Sequence, residues 1–302
     1  MAVLCGKMNI FAVIVTWRGL RWNDRCLGSL RCNGIQPIVV DNASGDGSVE
    51  YIREHFPEAV VIPQEENLGF AKANNIGIRY ALDHGADYVL LLNQDAWLEN
   101  GSAAELLRLF DSQPDAGIAS PMHLNAEGAA LDFKFATDMT GDFVSDAYIG
   151  SLKPCYDMPY VPAAVWLMSR RCLEVVGGFD TNLFVHYGED GDYCNRLRFH
   201  GFKLYVCTAA RAFHDREFRR GSESEYQNRV FSQKETARRS EFANLNIPLD
   251  IDDLIRKNRL SVRKARMKLD FAKIARCRKE IEFLERIKIS RDTNAVPGPH
   301  WL

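Results

Sequence analysis

Short apolar runs and segments of helical spacing alternate along the first part of the chain. Ile10 to Thr16 is nearly all apolar and reads as a buried strand. Ile38 to Val40 is the second run, Val60 to Ile62 the third and Tyr88 to Leu92 the fourth. Between them, Ser48 is placed as the N-cap of a helix to His55 with Pro57 beyond its end, and Ala71 to about Asp83 has helical periodicity. Val-, Ile- and Leu-rich strands separated by helical segments predict βαβ units and a mainly parallel sheet.

The pattern is less regular afterwards. Leu131 to Phe135 reads as a strand, residues 137–159 as an irregular, mobile loop, and Val161 to Met168 as an apolar strand. A helix then ends at Gly177-Gly178, two residues that allow a tight backbone turn. Another helix opens near Glu189 and continues through Arg196 and His200.

Residues 256–291 differ in kind, with fourteen Lys or Arg against four acidic residues. Leu260, Met267, Ile274, Ile281, Leu284 and Ile287 fall mostly at helical spacing. Two readings fit this segment. One is basic amphipathic helices on an anionic membrane. The other is a helical appendage packed on the preceding domain or on a second subunit, with its charges solvated.

The 302 residues suffice for one large α/β domain and an appendage. A net charge of −2 argues against a protein that coats nucleic acid. Eight cysteines without a Cys-x-x-Cys pair fit isolated, reduced thiols and a cytoplasmic setting. No stretch has the length and apolarity of a membrane span. Asn9 to Trp17 is too short for a signal-peptide core, lacks a small-residue cleavage site and runs into Arg18 and Arg21. Met8 is the expected natural start, with residues 1–7 a non-essential extension.

Three strand ends carry polar loops: Thr16-Trp17-Arg18, Asp41 to Ser48, and Asn93-Gln94-Asp95. In a parallel sheet these emerge at one edge and line one crevice. Asp41 can accept a hydrogen bond from a base N–H, and Asp95 can hold a divalent cation that bridges two phosphates. Glu189, Asp190 and Asp192 supply carboxylates from elsewhere in the chain. Together these point to metal-assisted group transfer on a phosphorylated substrate. The Gly-x-Gly-x-x-Gly and Gly-x-x-x-x-Gly-Lys-Ser/Thr fingerprints are absent, which disfavours dinucleotide oxidoreductases and P-loop phosphoryl transferases.

Six motifs in order, from about Ile10 to His214, resemble the family 2 glycosyltransferases of the GT-A fold, especially their rhamnosyltransferase-like branch. They are Val39 to Ser48, Asn67 to Ile78, the Asn93-Gln94-Asp95 turn, Gly177-Gly178-Phe179-Asp180, Glu189-Asp190-x-Asp192-x-x-x-Arg196, and His214.

The resemblance implies an α/β fold with a Rossmann-like central sheet, a nucleotide-sugar half over about 8–122 and an acceptor half over about 123–215. Residues 216–302 form a separate basic helical region. It further implies a nucleoside-diphosphate sugar donor, dTDP-rhamnose first and UDP-sugars next, and a saccharide or lipid-linked saccharide acceptor. Thr16, Asp41, Asn67, Gly69, Asn74, Asn93 and Gln94 would contact the donor. Asp95 and His214 would hold Mn²⁺ or Mg²⁺. Asp190 would be the general base, with Glu189, Asp192 and His186 on the acceptor. Arg196 would either bind diphosphate or pair with nearby acids.

Three positions depart from the family pattern. Asn93 stands where Asp is usual, Thr16-Trp17-Arg18 replaces Thr-Tyr-Asn, and the Gln-x-x-Arg-Trp motif of processive synthases is missing. The last implies addition of one or a few sugars. A sugar nucleotidyltransferase would need a Gly-rich basic loop after the first strand, which Thr16 to Gly19 does not supply. The other alternative, a carbohydrate-binding scaffold on a decayed transferase fold, is opposed by the intact Asp95, Asp190 and His214 set, with Asn93 its one opening.

Overall fold

The computed structural model describes residues 8–184, 187–216 and 234–302; His186 lies outside them. β1 (Ile10–Thr16) sits between β2 (Gln36–Asp41) and β4 (Tyr88–Leu92), and β3 (Val60–Pro63) pairs with β2. All three pairings are parallel. Helices α1 (Asn23–Cys32), α2 (Ser48–His55) and α3 (Gly69–Asp83) are the crossovers. Ala12 and Ile14 face Leu27 and Leu30 of α1, while Val13 faces Ile78 and Ala81 of α3. Both faces of the sheet are therefore covered, which is why its strands read as continuous apolar runs.

Beyond β4 the sheet becomes mixed. The remaining strands are β5 (Ala96–Leu98), β6 (Ala116–Asn125), β7 (Cys155–Asp157), β8 (Val165–Ser169) and β9 (Lys203–His214). The order continues β4-β8-β6-β9-β5. β8 runs antiparallel to β4 and β6, β6 and β9 are parallel, and β5 and β7 lie antiparallel to β9. The β6–β9 register jumps from Pro121↔Cys207 to Met122↔Arg211, a bulge that bends β9 and lets its end pair with β5. The helices here are α4 (Ser102–Ser112), α5 (Phe133–Asp138), α6 (Asp142–Tyr148), α7 (Arg170–Val176) and α8 (Glu189–Phe199).

Three expectations are corrected. Leu131 to Phe135 is no strand: Leu131 makes one bridge to Leu124, and Asp132 caps α5 by accepting from Phe135 N at 2.9 Å. Residues 137–159 hold α6 and β7 rather than an irregular loop; elements this short show too little periodicity to read. Gly177 and Gly178 make room for the chain's own C-terminal segment. A Cβ on Gly177 would lie 2.5 Å from His300 O, and Gly178 N donates to that carbonyl at 2.8 Å.

Residues 234–243 are helical, and α9 (Ile251–Met267) and α10 (Phe271–Asn294) form an antiparallel hairpin. Ile251, Ile255, Leu284 and Ile287 pack with Leu183 and Phe184, so the base of the appendage seats on the catalytic region. Among the described residues no helix is long and apolar enough to cross a membrane.

Candidate active site

The first polar loops sit at the carboxyl ends of β1, β2 and β4, where the parallel geometry brings them to one crevice. Gln94 ties two of them together. Its Oε1 accepts from Thr16 Oγ1 at 2.9 Å and Trp17 N at 2.8 Å, and its Nε2 donates to Trp17 O at 3.2 Å. Asp41, almost fully buried, accepts from Ser44 N at 3.1 Å and from Ser44 Oγ. Ser44 Oγ also accepts from Arg18 N at 3.0 Å, so the β1 and β2 loops are joined as well. Asn42 reaches the next loop, accepting from Leu68 N and donating to Gly69 O. Asn67 stays exposed at that rim, its Oδ1 accepting from Gly69 N at 2.9 Å.

Asp95 lies three residues beyond the end of β4 and directly precedes β5. The antiparallel β5–β9 register pairs Ala96 with His214, which sets His214 beside Asp95. Both are 2% exposed, with Nε2 of the imidazole 3.2 Å from Asp95 Oδ1. Asp132 lies behind, its Oδ2 3.7 Å from His214 Nδ1 and accepting from Arg216 Nε at 2.7 Å. Neither ring nitrogen of His214 makes a hydrogen bond to a described residue. His123 packs alongside on the ring of Phe135; burial, and then His214 and Arg216, push it down to about 3, so it is neutral.

No group of three or more His, Cys, Asp or Glu side chains among the described residues could hold a metal ion alone. A carboxylate and an unbonded imidazole at contact distance still suit a cation whose remaining ligands come from substrate phosphates. That is the usual arrangement for Mg²⁺-type sites, which keep few protein ligands.

The second carboxylate cluster reaches the same edge through β8. Because β8 runs antiparallel to β4, its start lies at β4's end: Leu92 pairs with Val165, and Asn93 N donates to Ala164 O at 2.9 Å. Tyr160, just upstream, donates its hydroxyl to Asp190 Oδ2 at 2.7 Å. Asp190 Oδ1 accepts from Gly191 N at 2.8 Å, leaving the carboxylate partly exposed in the first turn of α8.

Its neighbours are deeper. Glu189 is 8% exposed, and its Oε2 has no partner among the described residues. Burial first, then Asp190 and Asp192, push it up to about 7. Asp192 is raised to about 6 by burial against the opposing pull of Arg196, so it remains largely ionised at neutral pH. Arg196 Nε donates to Asp192 at 2.8 Å, and its terminal nitrogens donate to Val176 O at 2.8 Å and Gly178 O at 2.9 Å.

Arg196 is therefore a buried brace rather than a diphosphate ligand, since all three guanidinium nitrogens are engaged inside the protein. Asp192 is its counter-ion and does not reach an acceptor. Asn74 is likewise buried and donates to Phe70 O within α3 at 2.9 Å. Gln94, half-buried, aligns the β1 loop. Of the other expected residues, Asn67 is exposed and Asn93 half-buried, whereas Thr16, Asp41, Gly69, Asp95 and His214 are buried at or near the strand ends.

Sequence reasoning missed Tyr160 and Asp132, and gave Ser44 only as part of the Asp41 to Ser48 loop. Tyr160 reaches Asp190 across thirty residues of chain.

The comparisons with known proteins agree with this geometry. A family model described as Glycosyl transferase family 2 matches residues 12–174, more than half of the chain. dTDP-rhamnosyl transferase RfbF of Shigella flexneri is 24% identical over 207 residues, which span 68% of this chain and 69% of that protein. N-acetylglucosaminyl-diphospho-decaprenol L-rhamnosyltransferase of Mycobacterium tuberculosis is 28% identical over 221 residues, spanning 63% and 71% respectively. Among solved structures, the mannosyltransferase PcManGT from Pyrobaculum calidifontis, in complex with GDP-Man and Mn²⁺, matches at a TM-score of 0.54 and 14% identity. It covers 96% of this chain and 88% of that one. That likeness establishes the shared GT-A fold. With an acidic turn after β4 and the family model matching residues 12–174, this chain is a glycosyltransferase and belongs to glycosyl transferase family 2.

Proposed function

We propose that the enzyme transfers rhamnose with inversion from dTDP-rhamnose to a saccharide or lipid-linked saccharide, in a metal-dependent reaction on the cytoplasmic side. The supporting observation is the pairing of Asp95 with His214 beneath the crevice while Tyr160 holds a separate carboxylate, Asp190, toward the same sheet edge. The donor assignment draws on the dTDP-rhamnosyl transferase relative, and the acceptor assignment on the relative named for a diphospho-decaprenol substrate.

Asp41 and the Asn67 loop bind the nucleotide end. Asp95 and His214 would hold a divalent cation, which neutralises the charge that grows on the leaving diphosphate. Asp190 takes the acceptor hydroxyl proton as its oxygen attacks the anomeric carbon, a contribution of about 10²–10⁴-fold. Tyr160 fixes the carboxylate's orientation while it does so. One base and in-line attack yield inversion. Glu189, raised to about 7 and so about half protonated at neutral pH, then presents Asp190 with less than a full second charge.

The test is release of dTDP from dTDP-rhamnose with Mn²⁺ and with EDTA, beside UDP-glucose and GDP-mannose. Turnover of dTDP-rhamnose that needs metal and vanishes in Asp190→Asn is expected. Turnover of GDP-mannose alone would overturn the donor assignment, and equal rates in EDTA the metal dependence.

A further inference from the structure

The helical hairpin has an unusual end. Met267, Leu269 and Phe271, at the turn between α9 and α10, are 80%, 72% and 74% exposed. Leu269 also has φ +53°, a left-handed conformation that glycine ordinarily fills after a helix. A leucine there carries strain of about 1 kcal/mol or more and buries nothing. Folding alone gives no reason for it.

Charge is distributed along the hairpin just as unevenly. Near the base the cations are paired: Arg259 with Glu285, Lys288 with Asp252, Lys257 with Asp253. From Leu260 to Lys279 there are eight Lys or Arg and one acidic residue, Asp270. All eight are exposed, and none forms an ion pair with a described residue. Asp270 is itself engaged as a helix cap, accepting from Lys273 N at 2.9 Å. The hairpin's inner apolar residues are already covered: Val262, Ala265 and Cys277 are buried, and the basal residues sit on Leu183 and Phe184. Along the two helices Leu260 and Ile289, at 44% and 56%, are the other exposed large apolar side chains, so the tip, with three at 72–80%, is the hairpin's main apolar surface for a partner.

We propose that this tip inserts into an anionic lipid bilayer, with Met267, Leu269 and Phe271 entering the acyl boundary and the surrounding cations meeting lipid phosphates. An apolar wedge ringed by unpaired Lys and Arg matches an interface that is apolar inside and negative at its rim. The stems of the long basic side chains extend the apolar area while their heads stay wet. The proposal goes beyond the transfer reaction and does not depend on it.

The experiment is co-sedimentation of the full chain with vesicles of equal parts phosphatidylcholine and phosphatidylglycerol, and with phosphatidylcholine alone. Binding to the anionic vesicles and little to the neutral ones is expected. Lys264→Gln with Lys268→Gln should weaken it about 25-fold, from about fivefold per charge. Phe271→Ser should weaken it about tenfold. Leu269→Gly should weaken it several-fold while leaving the melting temperature equal or higher, which separates insertion from misfolding. Absence of binding to anionic vesicles would overturn the proposal. So would binding indifferent to Phe271→Ser, which would mean adsorption by charge alone as to heparin. A dimer that Phe271→Ser dissociates, with no vesicle binding, would assign the tip to a second copy of the chain instead.

Discussion

The strand-end loops and the first turn of α8 both present carboxylates, yet they hold them in opposite ways. Asp41 and Asp95 stand at strand ends, fixed by the sheet and by neighbouring loops. Glu189, Asp190 and Asp192 crowd into the first turn of α8, one beside the other. The helix N-terminus there favours negative charge by about 0.3–1 kcal/mol. Burial opposes it more strongly, lifting Glu189 from 4.5 to about 7. Desolvation therefore wins for Glu189, while Asp190 stays partly exposed with Tyr160 on its carboxylate. The contrast teaches that one residue type can be left partly exposed, buried with a raised pKa, or buried as a counter-ion within one helical turn, according to depth.

The strongest way to sharpen that contrast is Asp190→Asn, which should lower kcat by about 10²–10⁴-fold with little change in melting temperature. Next is Arg196→Met. It strands Asp192 and two carbonyls in the interior and should cost about 3–5 kcal/mol by denaturant unfolding. A smaller effect is expected of Glu189→Gln. The folded protein holds the Glu189 proton between pH 4.5 and about 7, so wild-type stability falls as pH rises through that window. The variant escapes this loss and should be more stable at about pH 8, by at most on the order of 3 kcal/mol. Below about pH 4 the two should match. Equal stability at both pH values would contradict the buried, protonated Glu189. Smallest is Tyr160→Phe, for which steady-state kinetics should show kcat reduced about tenfold and the donor KM unchanged, because the hydroxyl touches only the base.

The same division explains what was legible in the sequence. β1 to β4 announce themselves because both faces are covered, and their loops carry turn chemistry local in sequence, as in Asp41 with Ser44. Asp95 and the α8 carboxylates were legible as clustered charge. The roles of Arg196, Gln94 and Tyr160 were not, since each depends on a partner set by topology rather than spacing. Gln94 reaches Thr16 only because β1 neighbours β4, and Tyr160 reaches Asp190 only because β8 reverses direction beside β4. α5 and α6 are too short to show a period, so Asp132 was assigned to a strand although it caps a helix.

The central claim is that metal-assisted donor binding and base chemistry are separate jobs of the two halves. Calorimetric titration of dTDP with Mn²⁺ into wild type, Asp95→Asn and Asp190→Asn, each also assayed for dTDP-rhamnose turnover, tests it most directly. The account predicts that Asp190→Asn binds dTDP as wild type does and turns over nothing, while Asp95→Asn loses both metal-dependent binding and turnover. Unchanged Mn²⁺-dependent binding in Asp95→Asn, or lost binding in Asp190→Asn, would contradict it.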